Sequence, residues 1–335
     1  MTTQNPPARI LTGPTASGKT AYGHALARLN GMPILSADSM QVYRDLPVAT
    51  AAPNRDLLQE VCYHFVGRLP PSEAFSAAKF LRQSLHIAST LPASHPGLLA
   101  VGGTGLYLRA LRDGLFEQHG STTQSRELVR QRLAELGADA LHAELQTVDP
   151  ESAERIHPND ALRVARALEV YHATGQPISS LWRQPGGLPG LRVHRIVVLD
   201  PPRTALYERI NRRMAQMVHD GLLREIHSLV QRYPLHDLEN ALRPLGARDL
   251  ALALASGAIS PETPPEHPAL APLLEGMAQT TRQYAKRQWT WFRRYFPPDP
   301  PHTTWIDPLA GDFPERLAAI ALALDLPTPP AGTTL

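Results

Sequence analysis

The chain has 335 residues, of which 43% are hydrophobic and 19% charged, and its formal net charge is +2. At ~150 residues per domain this length suggests about two domains, and the hydrophobic fraction excludes wholesale disorder. A single cysteine, Cys62, excludes a disulfide framework and a cysteine-rich zinc module. No apolar run reaches the length of a membrane span, and the first residues lack a basic and then apolar leader. We therefore expect a soluble cytoplasmic protein that does not bind membranes.

Arginine dominates the basic residues: of the 33 in total, only Lys19, Lys79 and Lys286 are lysines. Arginine binds phosphates and bases well because its guanidinium is planar. A GC-rich genome would also enrich arginine, and it would explain the 33 prolines as well. Bulk composition therefore does not identify a partner, and only local clusters of charge are informative.

Apolar runs and helical segments alternate along the chain. Short buried strands are predicted at 9–12, 33–36, 98–101 and 193–199. Helices are predicted at 19–30, 74–91, 203–233 and 274–296. Strands that alternate with helices form βαβ units, so this order predicts an α/β fold with a parallel sheet.

A long helical stretch, 122–183, interrupts this alternation, with Asn159-Asp160 as a cap and Gly175 as a helix end. We interpret it as a mostly helical insertion domain over 121–189. The α/β core then comprises 1–120 and 190–326. A proline-rich loop is expected at 257–272, and a disordered tail at 327–335.

A phosphate-binding loop is the first chemical motif. It matches G-x-x-x-x-G-K-[ST] with Gly13, Pro14, Thr15, Ala16, Ser17, Gly18, Lys19 and Thr20. Such a loop directs backbone N–H groups and a helix N-terminus at an anion; the lysine reaches the outer phosphate and the threonine hydroxyl binds Mg²⁺. A strand precedes it and a helix follows, which disfavours a chance glycine-rich turn. The loop predicts a polyphosphate site but does not identify the polyphosphate or the reaction.

A carboxylate, Asp38, directly follows the second predicted strand. In open α/β sheets the ligand lies beyond the carboxyl ends of the strands, so Asp38 is expected to face the phosphate site. It could act as a general base or as an indirect Mg²⁺ ligand. Its position alone is equally compatible with a solvated strand-end residue or a helix cap.

Five segments, in order, resemble the tRNA dimethylallyltransferase (IPP transferase) family. They are the phosphate loop Gly13–Thr20, Asp38–Arg44, Val101–Tyr107, His157–Val170 and Thr281–Gln288. The resemblance spans roughly residues 9–296 and implies a P-loop NTPase-like core. It also implies that a dimethylallyl group moves from dimethylallyl diphosphate to N6 of the adenosine 3′ of the anticodon. The tRNAs would be those that read codons beginning with U, and diphosphate would be released.

The resemblance also implies roles for single residues. Asp38 matches the general base, and Thr104 matches a threonine that holds this carboxylate and the target base. Arg209 and Arg213 match a pattern in which one arginine binds the diphosphate, and we assign Arg213. The implied tRNA contacts are Asp38, Ser39, Met40, Gln41, Thr104, Arg126, Leu162, Arg163, Val164, Ala165 and Arg166. To these we add four basic residues that can bind tRNA phosphate, namely Arg243, Arg248, Arg282 and Lys286.

Two positions depart from the family pattern. Ala52 stands where the family commonly has a lysine, which removes a charge contact. Ala247 stands where a tyrosine is usual, which removes an aromatic stacking surface but leaves Arg243 and Arg248 available for phosphate. Neither position belongs to the implied catalytic set.

The segment 281–296 contains five basic residues and no acid. On a helix, Trp289, Phe292 and Phe296 share one face, which we interpret as core packing, while Arg282 and Lys286 share another. The uncompensated basic face predicts a phosphate contact.

Arg163 and Arg166 also point the same way, with ion pairing to Glu169 or Glu154 as the alternative. The histidines show no metal-ligand spacing, so Mg²⁺ at Thr20 is the only metal expected. A monomer is the default expectation.

Three other functions fit part of this pattern. A small-molecule kinase would use the loop and Asp38 but not the basic cluster. An isopentenyltransferase acting on free AMP would need no RNA surface. An RNA-binding switch protein would bind an anticodon loop without changing its mass.

Overall fold

The structure is a computed structural model that describes residues 6–115, 122–181 and 187–328. The chain divides into two compact units, Met1–Asp113 with Gly190–Leu335, and Gly114–Pro189. The boundary predicted between residues 120 and 121, and residues 329–335 of the predicted tail, lie outside the described residues.

One parallel sheet forms the centre of the first unit, with the strand order β3-β2-β4-β1-β5-β6. The strands are β1 Ala8–Thr12, β2 Ile34–Ser36, β3 Tyr63–His64, β4 Leu98–Gly102, β5 Val193–Leu199 and β6 Thr303–Ile306. All five residues of β1 and of β4 are buried, as expected for strands covered on both faces. This architecture confirms the predicted α/β class with a P-loop NTPase-like parallel sheet flanked by helices.

Helices cover both faces of the sheet. They are α1 Lys19–Asn30, α2 Arg55–Glu60, α3 Ala77–Thr90, α4 Gly105–Asp113, α9 Arg203–His219, α10 Leu222–Arg232, α11 Glu239–Leu242, α12 Arg248–Ala255, α13 Leu270–Tyr295 and α14 Phe313–Ala323. The helical segment predicted over 203–233 is confirmed as two helices, because Gly221 adopts a φ of 100° and separates α9 from α10. The predicted loop at 257–272 ends at Leu270, where α13 begins.

The aromatic residues of α13 belong to the core. Phe292 and Phe296 are fully buried, and Trp289 is 8% exposed while its Nε1 donates to Asp200 Oδ1 at 2.6 Å. This confirms the interpretation of the aromatic face as core packing. The second half of α13 is thereby held to the segment that directly follows β5.

The second unit is helical. It contains α5 Thr123–Val148, which is broken at Gly137, α6 Pro150–Arg155, α7 Ala161–Thr174 and α8 Ile178–Leu181. Leu145, Val164 and Leu168 are fully buried in its core. The buried Asp149 accepts hydrogen bonds from Ser152 and Ser179, which ties the short helices together. Residues 182–183 of the predicted helical stretch lie outside the described residues.

Within the described residues, no helix combines the length and the apolar character that crossing a bilayer requires. Among those same residues, no three histidine, cysteine or acidic side chains cluster closely enough to hold a metal ion.

Candidate active site

The phosphate loop lies at the carboxyl end of the central strand β1, and α1 begins at Lys19. Gly18 has a φ of 90° and Ala16 a φ of 64°, so two residues adopt the left-handed conformation that this tight loop requires. The hydroxyl of Ser17 is buried without a hydrogen-bond partner among the described residues. An unpaired buried donor of this kind is the group that an anion would satisfy.

Two arginines from α9 reach this loop, one helical turn apart. Arg213 donates from Nη2 to Thr15 Oγ1 at 3.0 Å, and its Nε is buried without a partner among the described residues. A Cβ atom added to Gly18 would lie 3.8 Å from Nη2 of Arg209, so this guanidinium also borders the loop. The structure thus brings both candidate arginines to the loop and bonds Arg213 to it directly.

Lys19 lies beneath the loop, where Nζ donates to the carbonyl oxygen of Pro14 at 3.2 Å. The pKa of Lys19 is lowered to about 8, mainly by burial; the negative charge of Asp38 opposes this shift, and the positive charge of Arg213 contributes to it. The same causes act on Arg213, whose pKa burial lowers and Asp38 raises. A lysine, an arginine and a carboxylate therefore interact within one partly enclosed site.

Asp38 follows β2 and is held by the turn after it. Its Oδ1 accepts from the backbone N–H of Met40 at 2.9 Å. The neighbouring Ser39 N–H donates to Thr104 Oγ1 at 2.9 Å, and the hydroxyl of Thr104 lies 3.3 Å from that of Ser39. Thr104 comes from the turn after β4, and these contacts hold it beside the segment that carries the carboxylate.

A small cavity connects the loop with this carboxylate. Its lining includes Lys19, Thr20, Ser36, Asp38 and Gln41, and its volume is about 10 Å³. That volume admits about one water molecule and is too small for a purine. A base would therefore have to reach Asp38 from outside this cavity.

The glycine-rich turn after β4 packs against α13. A Cβ atom at Gly103 would overlap Nε2 of Gln288, and one at Gly105 would overlap the Trp291 ring. Gln288 is 5% exposed; its Nε2 donates to Gly103 O at 2.8 Å, and its Oε1 accepts from Thr15 N at 2.8 Å.

Tyr284, one turn earlier on α13, donates from its hydroxyl to the same Gly103 carbonyl oxygen at 3.5 Å. Burial raises its pKa and the charge of Asp38 adds to the rise, so the phenol stays protonated. The sequence analysis did not predict that Gln288 and Tyr284 belong to the site. The late motif contains both residues, but only its basic residues were assigned a function.

The predicted tRNA contacts of the first unit differ in solvent exposure and in whether their side chains are already paired. Lys286 is exposed, and Met40 and Gln41 are partly buried. Arg248 is paired with Glu239 at 2.9 Å. Arg282 bonds both Glu275, at 2.5 Å, and Asn211. The argument that no acid balances the basic cluster is therefore wrong for Arg282, because Glu275 lies two turns earlier on the same helix.

In the helical unit, the predicted contacts lie on and near α7. Arg126 is exposed on α5, and Leu162 is 77% exposed. Arg166 pairs with Glu169, as the alternative interpretation predicted, whereas Arg163 pairs with Asp160, which that interpretation did not name. Val164 is fully buried and Ala165 packs partly against the same core, so a side-chain contact from Val164 to RNA is excluded.

The two positions that depart from the family pattern differ in burial, since Ala247 is buried and Ala52 is partly exposed. Ala247 is fully buried in the core beneath α12, so it offers no stacking surface. The segment before Ala52 is fixed by Glu225, whose carboxylate accepts from the backbone N–H groups of Val48 and Ala49 at 2.7 and 2.8 Å. Burial raises the pKa of Glu225, while these hydrogen bonds oppose the rise.

Comparison with known proteins identifies the family. The family model for IPP transferase matches residues 41–295. The chain belongs to the IPP transferase family. It is 40% identical to a tRNA dimethylallyltransferase of Koribacter versatilis over 304 residues, which is 90% of this chain and 93% of that protein.

Two solved structures are similar to this chain. A tRNA isopentenylpyrophosphate transferase from Bacillus halodurans is 30% identical with a TM-score of 0.63, covering 95% of this chain and 97% of its own. A eukaryotic dimethylallyltransferase acting on tRNA has a TM-score of 0.75, covering 97% of this chain and 81% of its own. At 21% identity, that second likeness shows the fold alone. The resemblance drawn from the five motifs is confirmed.

Proposed function

We propose that this chain transfers a dimethylallyl group from dimethylallyl diphosphate to N6 of the adenosine 3′ of the anticodon. The substrates would be tRNAs that read codons beginning with U, and diphosphate would be released. The observation that carries this proposal is the shared site: the phosphate loop with Lys19 and Thr20 borders the same cavity as Asp38. An anion cradle beside a carboxylate suits a reaction that expels diphosphate while a proton is removed from the nucleophile.

Asp38 is the general base. An adenine N6 amine is a poor nucleophile because its lone pair is delocalised into the ring. A carboxylate that accepts its proton as the new C–N bond forms supplies about 10²–10⁴-fold in rate. Thr104 supports this geometry, since its bond to the Ser39 N–H fixes the turn that presents Asp38.

The phosphate loop holds the leaving group. The allylic C–O bond breaks as the C–N bond forms, and its electron pair leaves with the diphosphate. Negative charge therefore develops where the loop amides, Lys19 and Arg213 are directed, and preorganised positive groups stabilise it there. The unpaired Ser17 hydroxyl and Arg213 Nε are donors that the diphosphate oxygens would satisfy. No phosphoryl group is transferred.

The residues present also fit Mg²⁺. The hydroxyl of Thr20 and the carboxylate of Asp38 border one small cavity, and oxygen donors of this kind suit a hard divalent cation. We assign Thr20 as the direct protein ligand, in keeping with its place in the motif. When bound, the ion would neutralise charge on the leaving diphosphate.

The target base must leave its stack in the anticodon loop to reach Asp38. We propose that the tRNA is held by Ser39, Met40, Gln41, Thr104, Arg243, Arg248, Arg282 and Lys286 in the first unit, and by Arg126, Leu162, Arg163, Ala165 and Arg166 in the helical unit. Val164 can contribute only its backbone. We further propose that the enzyme acts as a monomer in the cytoplasm, where tRNA is available.

The direct test is a mass measurement on an anticodon stem-loop incubated with the protein, Mg²⁺ and dimethylallyl diphosphate. A mass gain of one dimethylallyl group at the adenosine 3′ of the anticodon is expected. Parallel reactions with labelled ATP and with free AMP separate the kinase and the AMP-specific prenyltransferase. Tight stem-loop binding without any mass change would instead indicate an RNA-binding switch and would refute the transferase.

A further inference from the structure

Gln288 is buried between two segments of the active site, and the contacts proposed for tRNA and diphosphate assign it no role. It belongs to α13, far along the chain from the phosphate loop, yet its side-chain amide contacts two catalytic segments at once. Oε1 accepts from Thr15 N in the phosphate loop, and Nε2 donates to Gly103 O in the turn that carries Thr104, both at 2.8 Å. A 5% exposed amide with both ends bonded is held rigidly.

We infer that Gln288 is a positioning residue: its amide fixes the phosphate loop against the turn after β4 and thereby sets the distance between the leaving group and Asp38. This inference rests on the proposed function, because it concerns the alignment of the two halves of that reaction.

The hydrogen bonds form a continuous chain between the two halves. On one side, Thr15 also accepts from Arg213, so the residue that Gln288 holds in turn orients a diphosphate-binding guanidinium. On the other side, Gly103 precedes Thr104, whose hydroxyl accepts from Ser39 N beside the catalytic carboxylate. Gln288 is the link that joins these two sets of contacts.

The strands alone do not fix this alignment. Thr12 and Gly102 are paired neighbours at the ends of β1 and β4, but both segments continue beyond the sheet without further strand pairing. Gln288 bridges them just past this point. The turn accommodates the amide closely, because a Cβ atom at Gly103 would overlap Nε2. Loss of the amide would leave Thr15 N–H and Gly103 C=O to find new partners, and both segments would shift.

Replacement of Gln288 should therefore lower turnover more than it weakens the binding of dimethylallyl diphosphate. A displacement of about 1 Å between reacting groups lowers the rate about 10²-fold. Lys19, Arg213 and the remaining loop amides still hold the diphosphate when Gln288 is replaced. The kcat should therefore fall much more than the affinity for dimethylallyl diphosphate.

Two substitutions of Gln288 test this role. Gln288→Met keeps the length but removes both polar ends, and we expect its kcat to fall about 10²-fold, with a change in KM for dimethylallyl diphosphate of less than about tenfold. Gln288→Glu keeps the acceptor but, when ionised, loses the donor to Gly103. Protonation restores an O–H donor beside a carbonyl acceptor, and burial raises the pKa of such a carboxyl group. Its kcat relative to wild type should therefore recover as the pH falls.

Gln283→Glu is the matched control, since Gln283 is exposed on the same helix and receives the same charge. Its kcat should follow that of wild type at every pH. Circular dichroism at the assay temperature establishes that each variant is folded. If Gln288→Met does not fold, the pH profile of Gln288→Glu decides by itself.

A constant ratio of Gln288→Glu to wild-type kcat across pH would overturn the inference, as would a Gln288→Met enzyme with kcat close to wild type. These results are distinct from a failure of the proposed function. In that case the wild-type protein itself would not transfer the dimethylallyl group, and the role inferred for Gln288 would fall with it.

Discussion

The ionisation of Lys19 should limit the use of dimethylallyl diphosphate at alkaline pH. Burial and the neighbouring Arg213 lower the pKa of this lysine to about 8 in the free protein, although the Asp38 carboxylate partly compensates. Only the protonated lysine attracts a diphosphate. Because the ratio kcat/KM reports the ionisation of the free enzyme, this pKa should appear in its pH profile.

The magnitude follows from the position of this pKa. With a pKa of about 8, roughly nine tenths of Lys19 is charged at pH 7 and roughly one tenth at pH 9. We therefore expect kcat/KM for dimethylallyl diphosphate to fall about tenfold per pH unit above that pKa. A lysine with its ordinary pKa of about 10.4 would produce no decline in this range.

The assay is steady-state transfer to an anticodon stem-loop, with dimethylallyl diphosphate varied at each pH. Lys19→Arg serves as the control, because arginine stays charged over this pH range while the ionisation of the substrate affects both enzymes equally. The kcat/KM of this variant at pH 9, relative to its own value at pH 7, should not show the decline expected of wild type. Arg213→Gln removes a like charge, so it should raise the pKa of Lys19 and move the decline to higher pH. Identical profiles for wild type and Lys19→Arg would refute this reasoning.

Three further predictions address the base, the RNA surface and the core. Asp38→Asn should lower kcat about 10²–10⁴-fold while filter binding of the stem-loop stays unchanged, because only proton removal is lost; near-normal turnover would contradict the base assignment. Lys286→Ala should reduce the slope of log affinity against log salt by somewhat under one unit, and Arg282→Ala by less, since its guanidinium is already bonded to a carboxylate. Equal changes in slope for the two variants would show that the ion pair between Arg282 and Glu275 separates when the stem-loop binds. Phe292→Ala should lower the free energy of unfolding, measured with urea, by about 3–5 kcal/mol because the ring is fully buried. The exposed Leu322→Ala should change it by no more than about 0.5 kcal/mol.

The sequence alone determined the central part of the fold. The predicted strands at 9–12, 98–101 and 193–199 match β1, β4 and β5 to within a residue, and the helix at 19–30 matches α1. These elements carry strong local signals, since each strand contains a run of apolar residues and ends near a glycine, an aspartate or a motif. The phosphate loop and Asp38 followed for the same reason, because both are fixed to strand ends.

Elements with weak local signals were missed. The edge strand β3 has two residues and β6 has four, and β6 is only partly buried. Such short strands form because a neighbouring strand offers unpaired backbone groups, which the local sequence does not reveal. The helix α14 was likewise not predicted, although Asp312 and Glu315 form a capping box at its start.

Tertiary structure decided which side chains are available. The family resemblance named Val164 as an RNA contact and the basic helix face named Arg282, but the core of the helical unit buries the first and Glu275 binds the second. Gln288 lies within the late motif, but its contacts form only when α13 packs on the loops after β1 and β4. Motifs mark chemistry that is local along the chain, whereas burial, pairing and alignment depend on residues that only folding brings together.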